Sequence, residues 1–209
     1  MVRSSADREG MRRGPYVLKR RAQRQEETRR RIVQATAELH RSIGPAKTTL
    51  SAIAEAAGVE RETVYRHFPD MALLIRACGA RFVEVVEPPD AVQLAAIQEP
   101  MVRLRSGLEA VCDYYRRAGP GLDKVLRDRA VLPSRFHLGD PVLERIAEVE
   151  SLLLETWADR STPTVRVAFG HALSYWTWHS LVIERGLSQE ESVELLLMFL
   201  TAAIGRRPT

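Results

Sequence analysis

The chain is poor in the features that mark most other protein classes. Its two cysteines, Cys78 and Cys112, lack CxxC spacing, so the sequence offers no redox pair. No Cys/His cluster has zinc spacing either. Both cysteines sit in apolar helical patterns and read as buried free thiols. No apolar h-region follows the Arg-rich N-terminus, which argues against a secretory signal and for a cytoplasmic protein. The longest uncharged run, Val167 to Ile183, includes two histidines, two serines and a glycine. It falls short of the about 20 apolar residues that a membrane span needs. There is no GxSxG, no Walker loop and no HExxH. His40, His67, His137, His171 and His179 have no acid or nucleophile at motif spacing. The expectation is therefore no catalysis, no metal and no cofactor.

What is present is a globular composition with an uneven charge. The 209 residues are 45% hydrophobic and 28% charged, with a formal net charge of +4. Residues 1–68 carry 15 Lys and Arg against 8 Asp and Glu, while residues 69–209 carry 16 against 19. A basic head on a mildly acidic body suggests a polyanion-binding end and a body with another task. Of the 31 basic residues only Lys19, Lys47 and Lys124 are lysine. Arginine forks suit phosphates and guanine edges.

Periodicity predicts helices throughout. Residues 1–23 are Arg-rich and nearly aperiodic and read as a disordered arm. Two readings of that arm stand: contact with DNA backbone or minor groove, or a solvated tail. A helix over 26–43 follows, with Ile32, Ala35, Thr36, Leu39 and Ile43 at helical spacing. Thr49 caps a short helix striped by Leu50, Ile53, Ala54 and Ala57. After Gly58, a third helix over 61–67 turns Val64 and Phe68 inward. A fourth opens at Pro69-Asp70, with Leu73, Leu74, Ala77, Cys78, Phe82 and Val85 on one side. Further helices are expected over 101–118, 122–131, 141–159, 163–185 and, from the Ser188/Glu191 capping box, to Ile204. The expected fold is all-α: a three-helix helix-turn-helix domain over 24–70, then a helical effector-binding and dimerisation domain over 71–209.

Residues 47–68, KTTLSAIAEAAGVERETVYRHF, carry the strongest signal. A short striped helix, a turn with Gly58 and a second short helix make a helix-turn-helix. The outer face of that second helix is Arg61, Glu62, Thr63, Tyr65, Arg66 and His67, dense in groups that suit a major groove. This stretch resembles the DNA-binding domain of the tetracycline-repressor (TetR) family of bacterial regulators. The resemblance rests on Thr48-Thr49, Ile53-Ala54, Ala56-Ala57-Gly58-Val59, Thr63-Val64-Tyr65, His67-Phe68-Pro69 and Leu73-Leu74, within residues 27–82. It implies that Thr48 and Thr49 meet a phosphate with their hydroxyls and a helix N-terminus. It also implies that Lys47, Tyr65 and His67 contact the DNA backbone, while Arg61, Glu62 and Thr63 lie where bases are read. Three residues depart from the family pattern: Glu60 weakens the cap of the recognition helix, Met71 removes a backbone contact, and Glu62 brings an acid to a polyanion. Glu62 either pairs with cytosine N4 or orients Arg61 or Arg66, or it runs along the groove edge and tempers affinity.

The C-terminal helices are apolar on more than one side. Ala168, His171, Trp178 and Val182, with Leu196, Leu197, Leu200 and Ile204, are the expected homodimer stripe. Tyr114, Tyr115, Phe136, Trp157, Tyr175, Trp176 and His179 are the candidate lining of a site for a small hydrophobic or aromatic effector, with core packing as the other reading. The resulting expectation is a dimeric repressor on a palindromic double-stranded operator, released by an effector. The alternative is an effector-independent architectural or partner-docking DNA-binding protein.

Overall fold

The computed structural model of the protein describes residues 6–119, 121–129, 131–132 and 141–205. These residues form helices and connecting turns, with no strand among them. The helices are α1 (Ala6–Ile43), α2 (Leu50–Ala57), α3 (Arg61–His67), α4 (Met71–Val85), α5 (Ala91–Ala95), α6 (Pro100–Ala118), α7 (Leu122–Arg129), α8 (Pro141–Glu155), α9 (Pro163–Ala172), α10 (Tyr175–Trp178) and α11 (Gln189–Gly205). The chain divides into two compact units. The first joins Met1–Cys78 to Asp123–Phe136, and the second joins Gly79–Leu122 to His137–Thr209. The segment holding most of α7 thus belongs with the N-terminal helices, although sequence reading assigns it to the second domain.

In the first unit, Ile32, Ile53, Ala54, Val64, Phe68, Leu74 and Cys78 form one core. Each local signal there has a visible cause. The Thr49 hydroxyl accepts the Ala52 N–H at 3.2 Å, and Gly58 ends α2 at φ 62°, a left-handed backbone that favours glycine. Glu60 makes no side-chain cap to α3, as its residue type predicts. Asp70 caps α4 through the Ala72 N–H at 2.9 Å. Two expectations fail here. The region assigned to a disordered arm is helical from Ala6 onward, so α1 runs 38 residues. Leu73 and Val85, placed on the inner face of α4, are exposed.

The second unit is built around α6, where Leu104, Leu108, Val111, Cys112, Tyr114 and Tyr115 are buried. Burial pushes the thiols of Cys78 and Cys112 up to about 12 each, so both behave as inert core groups. The capping box forms in both directions: the Ser188 N–H donates to Glu191 at 2.8 Å, and the Glu191 N–H donates to the Ser188 hydroxyl at 3.1 Å. The helix expected over 163–185 is instead broken at Leu173-Ser174. The Ser174 hydroxyl caps α10, which passes into a π-helical segment, His179–Glu184. No proline or glycine marks the break. The carbonyls freed there are satisfied by one distant and one local donor: Tyr115 donates its hydroxyl to the Leu173 carbonyl at 2.7 Å, and Thr177 donates to the His171 carbonyl at 2.6 Å. Tyr115→Phe is therefore expected to leave a carbonyl unpaired in the core and to cost about 1–3 kcal/mol in urea unfolding. A loss below about 0.5 kcal/mol would show that this bond does not hold the break.

Candidate nucleic-acid interface

Helix α3 hides Val64 completely and shows the rest of its length to solvent. Arg61, Glu62, Tyr65 and Arg66 are exposed, and Thr63 and His67 are half-buried. Tyr65 keeps 48% of its surface exposed. Arg66 donates to the Thr63 hydroxyl at 3.2 Å, which fixes its fork along the helix. Glu62 makes no ion pair among the described residues, so Arg66 is oriented by Thr63 and not by Glu62. The Arg29 guanidinium lies 4.4 Å from the centre of the Phe68 ring and closes the core beneath α3. Burial, then the charges of Arg66 and Arg29, lower the pKa of His67 against the pull of Glu26. Both effects favour the neutral imidazole in the chain alone.

The loop before α2 presents Lys47, Thr48 and Thr49. Lys47 and Thr49 are exposed, while Thr48 is half-buried and donates its hydroxyl to the Gly44 carbonyl at 2.9 Å. This loop is braced by a residue that sequence reading missed. Asp128, on α7, is 5% exposed and accepts the Ala46 N–H at 3.0 Å. Arg127 donates to its other oxygen at 2.9 and 2.8 Å. Burial opposes ionisation of Asp128, but the Arg127 fork and the Ala46 N–H outweigh it and hold the carboxyl below its ordinary range. Lys124, one turn earlier, donates to the carbonyls of Arg41 and Ser42 at 3.3 and 2.9 Å and so covers the C-terminal end of α1. An isolated Lys and Asp in a polar eight-residue helix gave no signal of this role.

His40 lies in the same corner, 7% exposed. Burial lowers its pKa to about 4, against the upward pull of Asp128. The unfolded chain takes up this proton near pH 6.5, whereas the folded chain takes it up only near 4. This contribution is therefore full above pH 6.5 and is lost between 6.5 and 4, to a total on the order of 3 kcal/mol. Thermal unfolding at pH 7 and pH 4.5 checks it. His40→Gln should flatten the difference, and an unchanged pH dependence would assign it to other groups.

The candidate effector residues are only partly brought together. Tyr115 and Tyr175 meet at 5.4 Å between ring centres, Tyr114 and Tyr115 at 5.7 Å, and Trp176 and His179 at 5.7 Å. Trp178, assigned by sequence to the dimer face, joins this cluster 5.5 Å from Tyr175. Tyr114, Tyr115, Tyr175 and Trp178 are buried, whereas Trp176 is 47% exposed. Trp157 lies at the end of α8 without a ring contact to the cluster among the described residues, and Phe136 lies outside the described residues. Glu150, half-buried on α8, has its carboxyl pKa raised by burial. Sequence reading did not single it out.

Most of the expected dimer stripe is turned inward within the chain itself. Ala168, Trp178, Leu196, Leu197, Leu200 and Ile204 are buried within the second unit, and Val182 is half-buried. Of that set only His171 is exposed. The outer face of α11 is instead Leu195, Met198, Phe199 and Ala202. A helix apolar on every side permits either stripe to face inward, and packing against α6 and α9 decides.

An exposed, donor-rich second helix set on a tight glycine turn defines a helix-turn-helix DNA-binding protein. Residues 32–78 match the sequence model of the bacterial regulatory proteins of the tetR family. The chain is 24% identical over 137 residues to the nucleoid occlusion factor SlmA of Vibrio campbellii, a match covering 63% of this chain and 67% of that one. It is 39% identical over 61 residues, 29% of each chain, to the HTH-type transcriptional regulator TtgR of Pseudomonas putida. The crystal structure of a tetR-family transcriptional regulator from Streptomyces coelicolor shares its fold, with a TM-score of 0.58 at 19% identity, over 85% of this chain and 80% of that one. Residues 32–78 are thus a tetR-family DNA-binding domain, in a chain that is similar to DNA-binding transcriptional regulators of that family. Among the described residues no helix is long and apolar enough to cross a membrane.

Proposed function

We propose that the protein is a homodimeric repressor that grips a palindromic operator with two copies of α3 and is released by a small hydrophobic or aromatic effector. The observation that carries this reading is the solvent-facing set Arg61, Glu62, Thr63, Tyr65, Arg66 and His67, held on a packed helix-turn-helix beside the Lys47–Thr49 loop. Dimerisation is supported by Leu195, Met198, Phe199 and Ala202, which recur on the exposed face of α11 at steps of three, one and three residues. His171 of α9 extends that face, its ring 6.2 Å from Phe199. Such a stripe suits a four-helix interface between two copies. The effector reading is supported by the aromatic cluster, which has Trp176 at its accessible edge. An effector acts only if it prefers the state that fits DNA poorly.

Selection of bound sequences from random duplex DNA, at two salt concentrations, tests the proposal. A palindromic consensus with a steep salt slope is expected. Salt-sensitive binding to every duplex without a consensus would favour an effector-independent architectural role, the reading suggested by similarity to a nucleoid occlusion factor.

A further inference from the structure

The part of α1 that precedes the family match at residue 32 carries its own chemistry. Tyr16, Arg20, Arg24, Thr28 and Arg31 recur at steps of four, four, four and three, so they share one face. With Arg21 they line one side of a groove of about 820 Å³. Thr63, Arg66 and His67 of α3 line the other. The recognition helix and the extended first helix therefore share a single groove within the first unit.

The charge in this groove is unbalanced. The guanidiniums of Arg20, Arg21, Arg24 and Arg31 form no ion pair among the described residues, and Arg66 adds a fifth positive group. Glu60 is the one carboxylate on the lining. Elsewhere on the same helix Arg30 is matched by Glu26 at 3.3 Å, a pairing that the groove arginines lack. Arg20 rests 5.8 Å from the centre of the Tyr16 ring, which keeps its fork near the helix. Unpaired like charges held side by side repel one another, and an anion between them relieves that repulsion. From Arg20 to Arg31 the helix advances roughly 16 Å, enough to meet more than one phosphate of a DNA strand. A string of evenly spaced anions suits this row better than a single small anion does.

We propose that the groove holds the phosphate backbone of a DNA strand beside the half-site read by α3, making the extension of α1 a second, sequence-independent clamp. The proposal rests on the DNA-binding reading above and adds a site to it. Arg20→Gln/Arg24→Gln removes two charges and keeps good helix formers, and circular dichroism and thermal unfolding verify that it folds. Its affinity is measured against the wild type across a salt series, on the selected duplex and on a random duplex of equal length. The clamp predicts that the variant binds both duplexes about 10- to 100-fold more weakly at low salt, with a salt slope shallower by about 2. Base preference in the selection is unchanged. Unchanged affinity and slope on both duplexes, with Arg61→Ala abolishing binding to the selected duplex, would overturn the clamp and leave the recognition helix standing. A loss confined to the selected duplex would also overturn it, because the groove would then read sequence. Wild-type protein that binds neither duplex would defeat the DNA-binding reading itself, and the clamp with it.

Discussion

Gly44→Ala is expected to destabilise the first unit by about 3–5 kcal/mol, from two sources that add. Gly44 has φ 90° and ψ 153°, a region that is essentially reserved for glycine. The strain on any other residue there is about 1–3 kcal/mol. A β-carbon at this position would also lie 2.2 Å from Oδ2 of Asp128, the oxygen that accepts the Ala46 N–H. Either Asp128 moves and the Ala46 N–H loses its acceptor, or the loop moves and Lys47–Thr49 go with it. A part-buried, charge-assisted bond of this kind is worth about 1.5–3 kcal/mol. Urea unfolding of the wild type, Gly44→Ala, Asp128→Ala and the double variant separates the terms. If the clash matters, the glycine substitution costs less in the Asp128→Ala background. Equal costs in both backgrounds would assign the whole effect to backbone strain. Total destabilisation below about 1 kcal/mol would mean that the loop has a second conformation open to it.

Met198→Glu/Phe199→Glu is expected to convert the protein to monomers in sedimentation equilibrium while leaving its helix content unchanged. Both side chains are exposed, at 68% and 43%, so neither is a core residue, though the change gives up the ring contact of Phe199 with His171. In the proposed dimer the change would place four carboxylates where four apolar groups meet. The variant should bind a two-half-site duplex about 100-fold or more weakly, because joining two heads multiplies affinity without new contacts. Binding to a single half-site should be nearly unchanged. The same pair of substitutions at Leu196 and Leu197 should instead unfold the second unit, since both leucines are core residues. A Met198/Phe199 variant that stays dimeric would move the interface to another face.

The two outcomes at α11 show where sequence reading loses its hold. Helical existence was legible: the capping box at Ser188 and the apolar run behind it define the element. Its orientation was not, because leucines lie all around it and only the packing partners choose among them. Helix α3 is the opposite case. Val64 is its one fully buried side chain, so six polar neighbours fall outward whatever the details. Gly58 and Thr49 act on residues within four positions, and such signals survive without tertiary context. The carbonyl freed at Leu173 is met by a hydroxyl 58 residues away in sequence, and the Ala46 N–H by a carboxylate 82 residues away. No local pattern announces either. The extent of α1 is a different failure: Arg-rich, aperiodic sequence resembles a tail, yet its arginines form a face once wound at about 3.6 residues per turn.

The brace on the Lys47–Thr49 loop also has a consequence for the order of synthesis. The head is assembled from two stretches of chain, one ending at Cys78 and the other beginning at Asp123. At roughly 5–20 residues per second, α7 leaves the ribosome a few seconds after the last residue of the three-helix core. During that interval the nascent head has its Gly44 turn and its His40 corner but neither Asp128 nor Lys124 to close them. A ribosome stalled between these stretches would display a head with a packed core and a slack loop. The surface that carries Lys47–Thr49 is thus translated well before the residues that brace it.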